Sequence, residues 1–337
     1  VGSARDTDWD GVRLHIVTGK GGTGKTTVAA ALALALAAEG RRVLLAEVEG
    51  RQGISQTFEV PPLALTETRI AHAAHGGEVF GLSVDAKAAL LEYLQMYYKL
   101  GRAGGVLEKF GAIDFATTIA PGVRDVLLTG KVYEAVRRRK EHKAKGPGAA
   151  PAYDAVVMDA PPTGRVVRFL NVNHEVADLA KVGPIRSQAD SITAMLKSPQ
   201  TVVHLVTLLE EMPVQETVDT IAELRATGFP VGGVVVNQMR EEILTREVLE
   251  AASQAAISRE DVAADLARVH LRATGALVNG LLTEARDHAE RVALERREAK
   301  VIAGLSRPTY RLPSLSEGVD ANGIREMAET LMAQGMA

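Results

Sequence analysis

Eight consecutive residues, Gly19-Lys20-Gly21-Gly22-Thr23-Gly24-Lys25-Thr26, set glycines, two lysines and two threonines in a spacing suited to holding a polyphosphate. The glycines let successive backbone N–H groups close on phosphate oxygens, and a helix starting where the loop ends adds the positive end of its dipole. Lys25 then reaches the β- and γ-phosphates, the Thr26 hydroxyl is placed to ligate Mg²⁺, and Thr27 joins the nucleotide-binding set at the start of the helix. A carboxylate, Asp159, ends the apolar run of residues 155–158. The end of a strand in a doubly wound sheet is where an outer-shell Mg²⁺ contact belongs. The chemistry implied is Mg²⁺-dependent binding and cleavage of a nucleoside triphosphate, with ATP and Mg²⁺ as the small molecules.

These groups act together only if one sheet edge holds them. Residues 12–18 are a β-branched run stopped by glycine, residues 26–39 a strong helix former stopped by Gly40, and residues 42–47 a second short strand. Two strands flanking one helix with short connections require a crossover, so the sheet is mainly parallel. Further strands are expected at residues 79–84, 155–159, 201–207, 232–236 and 310–312. Helical runs at 88–99 and 124–139, broken by glycines and by Pro121-Gly122, and another at 172–197 predict a helical subdomain inserted at about 86–150 and 172–199. The expected fold is α/β, a doubly wound, mainly parallel sheet forming one P-loop domain over 12–337, behind a disordered tail at 1–11.

Composition narrows the partners. Of 337 residues, 46% are hydrophobic and 24% charged, enough to bury a large core. The net charge of -3 gives no bulk attraction to nucleic acid or to an acidic membrane, so no nucleic-acid partner is expected. Cysteine is absent, which excludes disulfides, Cys-ligated zinc, iron–sulfur clusters and thiol capture of soft ions. The eight histidines show no ligand pair at helical spacing, so no catalytic metal beyond Mg²⁺ is implied. The first ten residues have no apolar core of a signal peptide and no run is suited to span a bilayer, so a cytoplasmic location is expected.

The second lysine of the loop carries a resemblance. Lys20 in Gly19–Thr26 is similar to the deviant phosphate loop GKGGxGKT (a deviant Walker A) of the SIMIBI class of P-loop proteins. That likeness implies that Lys20 crosses a dimer interface and acts like an arginine finger on the neighbouring subunit's phosphates. Further on, Asp159-Ala160-Pro161-Pro162-Thr163-Gly164-Arg165 resembles the DTAPTGH switch of the arsenical-pump ATPase (ArsA) and tail-anchored-protein targeting ATPase family. The likeness continues through residues 166–170, 206–217, 234–237 and Leu312-Pro313. It implies a nucleotide-sensing switch from Asp159 to Gly164 and sets Asn237 and Pro313 against the adenine base.

The first switch departs from the family. Glu49-Gly50-Arg51-Gln52-Gly53-Ile54-Ser55 stands where the family has an aspartate followed by proline, alanine and histidine. Glu47-Val48-Glu49 also resembles the D-x-D of the MinD and ParA ATPases, which makes Glu49 the candidate to orient the attacking water and Glu47 a candidate outer-shell Mg²⁺ group. A glutamate reaches one methylene further than an aspartate, and a displacement of about 1 Å can cost roughly 100-fold in rate. Slow hydrolysis is therefore expected.

The family likeness implies a dimer, with an identical chain or a related ATPase subunit, whose helical subdomain opens and closes with the nucleotide. A membrane protein or other protein client is one implied cargo. Without cysteine, neither an arsenite-binding triad nor a Cys-x-x-Cys zinc clasp can form. Only Met96 and Met195 fall in the expected subdomain, little for a flexible apolar client groove. Two rival readings stay open: a MinD- or ParA-like positioning factor on membrane or DNA, and a nucleotide-binding scaffold with negligible turnover. The first asks for a basic amphipathic helix, whereas Ile324, Met327, Leu331 and Met332 share theirs with Glu326, Glu329 and only Arg325, which favours packing on the sheet.

Overall fold

The computed structural model describes residues 8–48, 50, 52–90, 92, 121–139, 150–171, 184–315 and 318–337. Its centre is an eight-stranded sheet in the order β3-β4-β2-β5-β1-β6-β7-β8. The strands are β1 (Leu14–Gly19), β2 (Arg42–Glu47), β3 (Thr68–His72), β4 (Glu78–Ser83), β5 (Ala155–Asp159), β6 (Thr201–Thr207), β7 (Val231–Met239) and β8 (Thr309–Pro313). All neighbours pair in parallel except β3 with β4. β1, β5 and β6 lie between other strands and under helices on both faces, and every residue of each is buried. That environment explains their near-continuous apolar runs. All the strands expected from sequence are present; β3 was not among them. It is an exposed edge strand of mixed polarity, which leaves no alternating pattern to read.

One face of the sheet is covered by α1 (Lys25–Ala37), which is buried on every side from Val28 to Ala37. A helix that is apolar all round must lie in the interior, and its second cover is α10 (Ala321–Ala333). Ile324, Met327 and Leu331 of α10 are fully buried against α1 and β8, the packing expected in place of a membrane anchor. The opposite face carries α3 (Pro121–Arg137), α4 (Thr163–Leu170), α5 (Pro184–Leu196) and α6 (Glu211–Thr227). After β7 come α7 (Arg246–Ser253), α8 (Arg259–Arg268) and the long α9 (Gly275–Ala303), with a small core of their own around Leu249 and Val292. A short α2 (Gly53–Thr57) follows β2.

Parts of two expected regions are described. The described helices of the segments expected to form a helical subdomain lie on one side of the sheet. Val126, Val132 and Val136 of α3 and Ile192 and Leu196 of α5 join the same core as Val156 and Met158 of β5. Met195 is likewise buried in that core, while Met96 lies outside the described residues. Within the tail expected to be disordered, residues 8–11 form a turn. Trp9 Nε1 donates to the Tyr310 hydroxyl at 2.9 Å, and that hydroxyl donates to Asp8 at 2.6 Å.

Two buried imidazoles sit on neighbouring central strands. His204 Nδ1 accepts the Gly233 N–H at 3.2 Å, which puts the His204 proton on Nε2, 3.2 Å from His15 Nδ1. Burial lowers the His15 pKa from 6.5 to about 4, and burial, then His15, pushes His204 well below the usual imidazole range. Both rings are thus neutral in the fold, while the unfolded chain takes up protons below about pH 6.5. Their contribution is complete above that pH and is lost as the pH falls toward about 4, on the order of 3 kcal/mol for His15 alone. Thermal denaturation followed from pH 7 to pH 4 is expected to show a falling Tm, and a shallower fall in His15→Gln, whose amide does not titrate. Equal slopes would assign the acid sensitivity to other groups.

Candidate functional site

Because β1, β2, β5, β6 and β7 run in parallel, their carboxyl ends meet along one edge, the place where ligands bind in open α/β sheets. The phosphate loop leaves β1 at Gly19 and enters α1 at Lys25. A Cβ on Gly19 would lie 2.2 Å from the Val206 carbonyl oxygen, so the loop starts as a bare backbone pressed on β6. Gly24 caps α1 with φ +84°, a left-handed conformation that costs other residues about 1–2 kcal/mol. There a Cβ would meet Asn237 Nδ2 at 2.4 Å. Gly21 and Gly22 face open space, where a phosphate can approach the backbone. Thr23 is buried and closes the loop on itself, its hydroxyl donating to the Lys20 carbonyl at 2.9 Å. Lys25, Thr26 and Thr27 occupy the first turn of α1.

Thr26 Oγ1 donates to Asp159 Oδ2 at 2.7 Å, joining two of the three groups expected from sequence near Mg²⁺. Glu47 aligns with Asp159 across the β2–β5 pairing and is buried. Its two oxygens accept the N–H groups of Gln52 at 3.0 Å and Gly53 at 2.7 Å. The added glutamate length is thus taken up in shaping the first-switch backbone, where Gln52 adopts φ +57°. Gly53 in turn lies against Thr26, since a Cβ there would stand 3.1 Å from Thr26 Cγ2. Thr26, Asp159 and Glu47 are hard oxygen donors, and no cluster of three or more His, Cys, Asp or Glu able to cage a metal occurs among the described residues. That set fits Mg²⁺, which takes one or two carboxylate contacts and completes its shell with water and phosphate. Glu49 lies outside the described residues.

Asn237 ends the buried part of β7 and donates Nδ2 to the Thr23 carbonyl at 2.9 Å, tying the strand to the back of the loop. It also lines a cleft of about 310 Å³ with Leu208, Leu209, Met239, Arg240 and Arg291. Pro313 stands one strand away, exposed at the end of β8 and paired with Met239, and is not among that cleft's lining.

Three contacts at this edge were not expected from sequence. The Thr18 hydroxyl donates to the Pro161 carbonyl at 2.7 Å, linking β1 directly to the segment that follows β5. Lys20 is paired with Glu216 of α6, whose other oxygen accepts the Thr163 hydroxyl at 2.7 Å. The Lys20 ammonium, then the Thr163 hydroxyl, hold the Glu216 carboxyl below the usual range for glutamate. An acidic residue in the second turn of the helix after β6 was the only sequence signal, and solvated glutamates at such positions are common.

Comparison with known proteins agrees with this geometry. The family model described as Anion-transporting ATPase matches residues 12–198. ATPase BagA of Mycobacterium tuberculosis is 50% identical over 326 residues, covering 97% of this chain and 94% of its own. A Chlorobaculum tepidum protein named as a candidate arsenical pump-driving ATPase is 28% identical over 267 residues, 68% of this chain and 61% of its own. ATPase GET3 of Kluyveromyces lactis is 24% identical over 275 residues, 67% of this chain and 72% of its own. With more than half of its residues matched by the family model and 50% identity to a relative aligned over nearly its full length, this chain belongs to the anion-transporting ATPase (ArsA) family.

Proposed function

We propose that this chain is a Mg²⁺-dependent ATP-hydrolysing switch that works as a dimer, coupling the state of its nucleotide to the positions of its two switch segments. The observation that carries the reading is the Thr26–Asp159 contact at 2.7 Å, which joins the phosphate loop to the head of the second switch. Mg²⁺, when bound, would supply positive charge to the phosphates. Thr26 and Asp159 would hold it, with Glu47 in its outer shell. The loop backbone from Gly19 to Gly24 and Lys25 would bind the phosphates, and Asn237 would face the base. One Nδ2 hydrogen of Asn237 is given to Thr23, and its Oδ1 is an acceptor that could take the adenine amino group.

Catalysis in this reading is positioning and electrostatics. Lys25 acts within its own chain and Lys20 on the partner's phosphates, while Glu49 orients water. Movement of Asp159–Gly164 would pass through Pro161 to β1 and through Thr163 to α6, the elements it touches. Arsenite is disfavoured as the cargo, because a chain without cysteine lacks the thiolate ligands for it. Steady-state ATP hydrolysis across a wide range of protein concentration tests the proposal. Specific activity is expected to rise with concentration, and Lys25→Ala to stay at background throughout. Wild type at the Lys25→Ala background at every concentration would leave a nucleotide-binding scaffold, and activity independent of concentration would remove the dimer.

A further inference from the structure

Lys20 has two incompatible tasks in this molecule. A lysine that reaches a neighbouring subunit's phosphates must point away from its own chain, yet here its ammonium is paired with Glu216 of the same chain. The pair is about one-third exposed, so it is reachable from solvent and can be broken without unfolding anything. Its carboxylate is not a loose surface group, because α6 is a fixed platform. Val214, Thr217, Ile221 and Leu224 are buried against the sheet and α4, and the Thr217 and Thr220 hydroxyls each donate to a carbonyl one turn back.

The second oxygen of Glu216 decides what the contact does. It accepts from Thr163, which is buried at the start of α4, four residues beyond Asp159 in the second switch. One carboxylate therefore spans a residue of the phosphate loop and a residue of the switch, each through its own oxygen. With Thr163 in place, the carboxylate is oriented for Lys20. When the switch moves, the Thr163 bond is lost, the carboxylate can rotate and hydrate, and its hold on Lys20 weakens. Coupling of this kind is reciprocal, so drawing Lys20 away makes it easier for Thr163 to leave.

We propose that Glu216 is a positioning residue that keeps Lys20 turned toward its own chain and, through Thr163, ties the release of Lys20 to the second switch. The proposal rests on the reading of Lys20 as a group that acts across a dimer. Its first consequence, that the hold on Lys20 depends on Thr163, can be measured without any turnover.

Acylation of the full chain by an N-hydroxysuccinimide ester, followed by peptide mass spectrometry that isolates Lys20 from the other lysines, reads how available that amine is. Glu216→Gln is expected to speed labelling about threefold, the scale of a partly exposed ion pair, and Thr163→Val to speed it by a smaller factor. Thr163→Ser keeps the hydroxyl and is expected to label like wild type, which separates loss of the bond from disturbance of the fold. In parallel, the protein concentration giving half-maximal ATPase activity is expected to fall in Glu216→Gln, because less of the dimer's free energy goes into breaking the internal pair. Unchanged labelling in Glu216→Gln, or in Thr163→Val, would overturn the proposal. So would faster labelling with an unchanged midpoint in a wild type whose activity does depend on concentration. A wild type with no concentration dependence would instead sink the dimer reading, and the labelling arm alone would then decide the tie between Glu216, Lys20 and Thr163.

Discussion

Mixing the Lys20→Ala and Lys25→Ala variants, each close to inactive alone, is expected to restore ATP hydrolysis to about a quarter of the wild-type rate. The expectation follows from which subunit supplies which lysine. In a mixed dimer, the subunit carrying Lys20→Ala keeps its own Lys25 and receives an intact Lys20 from its partner, so one complete site forms. The other site lacks both. Random pairing makes about half the dimers mixed, each with one working site of two. Alone, each variant should lose roughly 10³-fold in kcat, because a cation facing the transferred phosphoryl group contributes on that scale. If Lys20 serves its own chain's nucleotide, no mixed dimer holds a complete site and mixing restores nothing. The measurement is the rate at fixed total protein after the two variants have been allowed to exchange subunits.

The second large effect is on the metal requirement. Asp159→Asn keeps the shape of the side chain and an oxygen to accept the Thr26 hydroxyl, but removes the charge beside the position assigned to Mg²⁺. The concentration of Mg²⁺ for half-maximal ATPase activity is expected to rise about 10- to 100-fold, the range found when an outer partner of a metal site is altered. Part of the activity should return at high Mg²⁺, and the melting temperature without nucleotide should change little. An unaltered Mg²⁺ dependence would remove Asp159 from the metal's surroundings. A large fall in melting temperature would instead mark its role as structural.

How much of this was legible beforehand depended on whether the cause was local. The phosphate loop could be read because its demands fall on consecutive residues. Gly19 must clear the Val206 carbonyl, Gly24 must take a left-handed turn, and Lys25 and Thr26 must open a helix. β1, β2, β5 and β6 could be read because burial on both faces forces an apolar run. β3 could not, since an edge strand answers to solvent as much as to the core. The helical segments before β5 and β6 were recognisable as helices. Periodicity reports that a helix has an apolar face, however, and not what covers it, so the core residues that α3 and α5 meet could not be read beforehand. Glu47 was expected near a metal on charge alone; that both its oxygens hold first-switch N–H groups depends on a backbone turn at Gln52 that no residue type announces. The Lys20–Glu216 pair joins residues 196 apart in the chain, and only the folded sheet brings them together.

Trp9 gives the molecule an optical property. It is the only tryptophan in the chain, so all indole emission comes from one place. Its ring meets His204 edge-on at 5.1 Å between centroids, and its N–H is bound to Tyr310 on β8. Protonated imidazole quenches indole fluorescence, and release of the N–H to water shifts the emission to longer wavelength. The unlabelled protein therefore carries its own spectroscopic gauge, at the end of the sheet opposite the phosphate loop. A dimming on acidification would report charge arriving at His204, and a red shift would report the amino-terminal turn leaving β8.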